Sequence, residues 1–260
     1  MENHAMINSL QPEQYQILAD NYRLTQEVTE DRTYCLPFTD LLDPDKSQAY
    51  LQKVSHIYET DSSVATVSMF AKRYAYLVIA ANLYAISCFN KAYNLELENG
   101  EMESEYHGGA WLPKARLKDW TMMEPAAGRR AQWRDEVLER MFAGNLSLVW
   151  GALAKLTKVP KSILWENTAI YVYWLYEKNF GERATPEQQR QLEEDYHYLL
   201  HAAPAHLFGE KRNPMMQFNS PKVPRSGYEQ PLRVRKTCCF YYITSDKQDD
   251  YCSTCPKRTS

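Results

Sequence analysis

DSSVATVSMFAKRYAYLVIAANLYAISCFNKA, residues 61–92, decides the fold. Asp61-Ser62-Ser63 is a helix N-cap signal, because short oxygen-bearing side chains satisfy the free amides of a first turn. The pattern that follows predicts one long helix over about 64–92, with Met69, Tyr76, Leu77, Ala80, Leu83 and Tyr84 as core candidates. Its most apolar run, Tyr74 to Phe89, contains Asn82 and Ser87 and follows Lys72-Arg73. A membrane-spanning helix needs about 20 apolar residues. The run is shorter than that and reads as the buried central helix of a helical body.

Helical signals continue on both sides. Pro12 opens PEQYQILADNYRL, and Asp43-Pro44-Asp45 opens a second helix with Tyr50, Leu51, Val54 and Tyr58 at helical spacing. Residues 93–126 are punctuated by Asn99-Gly100, Gly108-Gly109, Pro113 and Pro125 and predict short strands or a hairpin. Helical patterning returns over about 128–157 and 161–179. Thr185-Pro186-Glu187-Gln188 then predicts a capped helix to about 202. Beyond Pro204, recurrent prolines predict extended chain or loop. The expected fold class is therefore mainly α with a small β or irregular component. Residues 1–210 form a helical scaffold and residues 211–260 a basic, proline-rich connector and cysteine-rich segment.

Composition excludes several classes. The 260 residues are 44% apolar and 24% charged, with a net charge of −3. With a mean hydropathy of −0.58, they suit a globular chain rather than a disordered or polytopic one. No GxGxxG or GxxxxGK[ST] occurs, so nucleotide-binding readings lose their main support. The polar start lacks a basic region followed by an apolar one, so no secretory signal and a cytoplasmic location are expected. From Lys211 onward there are ten basic and four acidic residues, a tail of +6 on a body of −9. Such a tail either meets an anion or packs on the acidic body.

Four of the six cysteines close the chain as Cys238-Cys239, then Cys252 and Cys255. In a reducing compartment, thiols at this density point to a metal centre rather than disulfides. A tetrahedral zinc site and an iron–sulfur cluster both take four thiolates. Adjacent residues of extended chain point to opposite sides, so Cys238 and Cys239 reach a two-iron rhomb more easily than one ion. On the residues alone a [2Fe–2S] cluster, zinc and neither all stay open. Cys35 and Cys88 read as small buried hydrophobes.

RKTCCFYYITSDKQDDYCSTCP, residues 235–256, resembles the C-terminal motif of FhuF-type ferric-siderophore reductases: a basic residue, adjacent cysteines, an aromatic-rich strand and a closing CxxCP. Leu164-Trp165-Glu166-Asn167 and Asn213-Pro214 look like upstream elements of the same family. The acidic DKQDD stretch stands as a loop insertion between Cys239 and Cys252.

The resemblance implies a [2Fe–2S] cluster on Cys238, Cys239, Cys252 and Cys255. It also implies one-electron reduction of an Fe(III) siderophore, of hydroxamate type, to Fe(II). Arg212, Arg233, Arg235 and Lys257 are the candidate contacts for an anionic complex such as a citrate–hydroxamate chelate, and Trp165 and Asn167 the candidate cleft residues. Lacking a flavin or nicotinamide motif, the chain is expected to take electrons from a separate ferredoxin or flavoprotein reductase. No nucleic-acid partner and at most peripheral membrane association are expected. The rival readings are a zinc-stabilised basic binding module and an iron–sulfur redox sensor. His197 and His201, with Glu194, have metal-ligand spacing but lack a second Glu-x-x-His.

Overall fold

Local capping signals set where the long helices start. The computed structural model describes residues 10–245 and 250–258. α1 (Pro12–Tyr22) begins on a proline, with the Gln14 side chain accepting from the Gln11 amide. After the short strands β1 (Leu24–Thr25) and β2 (Leu36–Pro37), the Asp43 carboxylate accepts from the Asp45 and Lys46 amides and starts α2 (Pro44–Ile57). Ser62 accepts from the Ala65 amide and starts α3 (Ser63–Phe89).

α3 is the central element. It is long and apolar enough to cross a membrane by length and composition, but 83% of its most apolar window is buried inside the protein. A helix apolar all round belongs in a core. Asn82 is satisfied there, because its carboxamide donates to the Tyr93 carbonyl and accepts from the Tyr93 amide, both at 3.2 Å.

The predicted strands lie in residues 92–123: β3 (Ala92–Tyr93), β4 (Gly100–Glu103), β5 (Lys114–Leu117) and β6 (Met122–Met123). β4 and β5 form an antiparallel hairpin inside a four-stranded sheet of order β1-β5-β4-β2, and β3 pairs with β6. Gly100 is required where β4 crosses Phe38, whose ring occupies the space an added Cβ would need. Gly108 and Gly109 turn the hairpin loop at positive φ.

α4 (Arg130–Met141) and α5 (Leu148–Thr157) are separated by a π-helical segment, Phe142–Ser147, so the expected 128–157 helix is not continuous. The widened turn seats buried Asn145, which accepts from the Tyr74 hydroxyl and donates to the Leu95 carbonyl. α6 (Lys161–Trp174), which packs along α3, also ends in a π turn, Leu175–Asn179. Thr185 and Gln188 exchange capping hydrogen bonds at the head of α7 (Pro186–His201), as the sequence predicts.

The tail departs from expectation in two places. Helix does not disappear after Pro204: Ala205–Phe208 makes a 3-10 turn and α8 (Pro214–Phe218) follows. Asn213 caps α8 by accepting from the Met215 and Met216 amides, and Pro214 at the first position starts the helix instead of breaking it. The aromatic stretch after Cys239 is a 3-10 turn, Tyr241–Thr244, not a strand, because Phe240 at φ 61° turns the chain. Between α8 and the cysteines runs the small hairpin of β7 (Lys222–Val223) and β8 (Leu232–Arg233). Of the acidic DKQDD stretch, residues 246–249 lie outside the described residues. Cys35 and Cys88 are half-buried rather than buried.

Candidate metal centre and the cleft beside it

α6 builds the dock for the cysteine segment. Glu166, 1% exposed, accepts from the Lys236 amide at 2.6 Å, the Thr237 amide at 2.7 Å and the Thr237 hydroxyl. A buried carboxylate needs such compensation. Its neighbour Asn167 donates to the Ser68 carbonyl and hydroxyl on α3 and accepts from Arg235 Nη2 at 2.6 Å. The Arg235 amide donates in turn to the Thr254 carbonyl, inside the CxxC turn. A continuous polar chain thus ties the central helix to the cysteines. On the far side, Arg225 donates to the Ser253 and Cys255 carbonyls.

The four thiols are free. Cys239 and Cys252 bring their sulfurs to 3.7 Å. That is close to the edge of a tetrahedron built on metal–sulfur bonds of about 2.3 Å. Cys238 accepts from the Phe240 amide and Cys255 from the Lys257 amide, each at 3.4 Å. Hydrogen bonds to ligand sulfurs are a means of tuning iron–sulfur centres. Among the described residues no group of three or more His, Cys, Asp or Glu side chains is arranged to hold one metal ion.

The sequence did not point to Lys72. Its ammonium lies 3.1 Å from the Cys239 sulfur. A hydrogen bond from Cys252 outweighs burial, and with Lys72 and Arg235 it holds the Cys239 thiol far below its usual range. The same shared proton and burial push Cys252 up.

The proposed substrate contacts fall into different places. Arg235 is 4% exposed and serves the dock. Arg233 pairs with Glu177 at 2.8 Å and lies over the Tyr173 ring. Trp165 is buried and donates to Glu210 at 2.8 Å, and Asn167 is buried in the dock. Arg212 borders a separate cavity with Trp165 and Glu210. Lys257 is exposed and reaches the Tyr242 hydroxyl at 2.9 Å. Lys222, Arg233 and Arg235 all pair with body carboxylates, so part of the tail's charge is consumed in packing. His197 and His201 are exposed, with ring centroids 4.8 Å apart.

The cavities that touch the cysteine segment lie elsewhere. One of about 460 Å³ is lined by Lys72, Arg73, Tyr58, Tyr171 and Tyr241, with Gly109 of the hairpin loop at its edge. Another of about 740 Å³ runs from Arg23 and Tyr76 past Trp174 to Ser253 and Thr254 of the CxxC turn. Tyr171 borders both.

The family described as "Ferric iron reductase FhuF-like transporter" matches residues 68–223, more than half of the chain. The chain belongs to the FhuF-like family. The matched stretch includes Lys72, Glu166 and Asn167 and stops before the four cysteines. No curated protein matches. Among solved structures, the aerobactin synthetase IucC of a hypervirulent pathotype of Klebsiella pneumoniae is similar at 10% identity and a TM-score of 0.47. That similarity covers 70% of this chain and 35% of the synthetase chain.

Proposed function

We propose that this FhuF-like protein is a cytoplasmic ferric-siderophore reductase that uses a [2Fe–2S] cluster. The observation that carries the reading is the dock: the body that matches a ferric reductase family holds four free thiols through Glu166 and Asn167. Cys238, Cys239, Cys252 and Cys255 would hold the cluster, and the Cys239 and Cys252 sulfurs already stand a metal-spanning distance apart. Bound there, such a cluster supplies single electrons.

The residues of the chain do the rest. Lys72 and the Phe240 and Lys257 amides place positive charge on the sulfurs, which favours the more negative, reduced state. Burial of Cys239 and Cys255 limits water access. Substrate docks in the cleft lined by Lys72. Adding one electron turns chelated Fe(III) into Fe(II), which hard oxygen ligands hold far less tightly, and the iron leaves. The electron comes from a separate ferredoxin or flavoprotein reductase.

Anaerobic purification followed by iron, zinc and sulfide analysis tests the cluster. About two irons and two sulfides per chain, with colour that bleaches on reduction, support it. A colourless chain with zinc, even after reconstitution, sinks it and promotes the zinc-module reading. A coloured protein inert toward ferric chelates is a redox sensor.

A further inference from the structure

The head of α6 carries a second surface beside the dock. A cavity of about 310 Å³ there is lined by Lys161, Trp165, Glu210, Lys211, Arg212 and Gln217, among others. Glu210 is the one carboxylate among its described lining residues. It is already engaged, pairing with Lys161 and accepting from the Trp165 indole at 2.8 Å. Lys211 and Arg212 are exposed and have no ion-pair or hydrogen-bond partner among the described residues. Lys236 is also exposed and reaches the rim, where its ammonium donates to the Gln217 carbonyl. The chain leading into α6 holds no acid between Glu139 and Glu166. Met216, next to Gln217 on α8, is 50% exposed. Unpaired cations around an exposed methionine have the anatomy of a docking surface.

This surface lies against the cysteines. Lys236 is two residues from Cys238, a span of at most about 7 Å between Cα atoms. Trp165, on the cavity wall, precedes Glu166, which holds the Thr237 amide. The cavity shares no lining residue with the cleft at Lys72, so a partner seated here leaves that cleft open.

We propose that Lys211, Arg212 and Lys236 form the docking face for the electron donor, and that the donor is a small carrier protein with an acidic face, of the ferredoxin kind. The charge distribution selects this class. Residues 1–210 carry −9 and repel an acidic protein over most of the body, while the basic face draws it in beside Cys238. Fixed charges of this kind steer encounter and set orientation. The carrier gives up one electron and chelated Fe(III) takes one up, with no group transferred. The assignment rests on the reductase reading for where the electron goes.

Calorimetry on the anaerobically purified holoprotein tests the face, with an oxidised, acidic plant-type [2Fe–2S] ferredoxin as the probe. Binding is expected at about 20 mM salt and should weaken about tenfold or more at about 200 mM, because screening shortens the reach of exposed charges. Lys211→Glu/Arg212→Glu should weaken it about tenfold or more at the lower salt. The same reversal at Lys53 and Lys118, exposed lysines outside this cavity, should change it less than about twofold. Lys211→Glu decides alone if the double variant does not fold. Equal effects of the two reversals, binding indifferent to salt, or no binding to the wild type overturns the docking face. Reduction of a ferric hydroxamate driven by a viologen radical, run in parallel, separates the two readings. It should proceed at the wild-type rate in Lys211→Glu/Arg212→Glu, and a slower rate places these cations at the chelate and overturns the face. If no chelate is reduced while ferredoxin binding still depends on Lys211 and Arg212, the reductase reading falls and the face stands. If viologen-driven reduction proceeds and ferredoxin binding ignores the reversal, the face falls and the reductase reading stands.

Discussion

The Lys72 ammonium stands 3.1 Å from the Cys239 sulfur although 167 positions separate them. This contact joins the central helix to the cysteine segment and places a fixed cation at the side of the cleft. A cation beside a metal–thiolate centre stabilises the reduced, more negative state. Lys72→Met is expected to keep the cluster but lower its reduction potential by tens of millivolts, since about 1.4 kcal/mol is worth ~59 mV for one electron. A potentiometric titration followed by EPR checks this, and an unchanged potential would remove Lys72 from the account.

Glu166 is expected to be the most sensitive dock residue. Its carboxylate satisfies two tail amides and lies near Arg235 Nε at 3.8 Å, with both side chains almost fully buried. Removing one partner of a buried pair costs about 3–5 kcal/mol. Glu166→Ala should release the segment after Pro231 to proteolysis and lower iron content, while circular dichroism still reports the helices. Full iron retention and protease resistance would contradict the dock.

Acid should loosen the β7–β8 strap in a defined window. Burial opposes ionisation of Glu177, yet hydrogen bonds from Arg233, Lys222 and Tyr196 prevail and hold its carboxyl at about 2. The unfolded carboxyl titrates near 4.5. The unfolded state therefore binds the proton more readily, and stability falls as pH drops from about 4.5 toward 2. Denaturant melts should show this slope in the wild type and a shallower one in Glu177→Gln. Equal slopes would refute the assignment.

Cys252→Ser is expected to abolish or cripple the cluster, whereas Cys35→Ser and Cys88→Ser should leave colour and iron unchanged. Visible spectra with iron analysis decide. Full colour in Cys252→Ser would break the ligand set.

Local chemistry made much of this legible from the sequence. Ser62, Thr185 and Gln188 sit within three residues of the amides they cap, so α3 and α7 could be read directly. Asn213-Pro214 carried the same kind of signal, but among so many prolines it read as a breaker. The function of the Trp165-Glu166-Asn167 stretch was hidden because its partners, Ser68, Arg235 and Thr237, are distant in the chain. The cation assignment failed to find Lys72 for the same reason. A basic tail attracts attention by composition, while Lys72 of α3 reaches Cys239 only through packing. Nothing local distinguishes Arg233, paired with Glu177, from an unengaged arginine.

The most direct test of the central claim mixes the dithionite-reduced, desalted protein anaerobically with a ferric hydroxamate siderophore and an Fe(II)-specific chelator. The expected result is prompt reoxidation of the visible spectrum with about one Fe(II) captured per electron released. A protein that stays reduced, or one that has no reducible chromophore because its cysteines hold zinc, would contradict it.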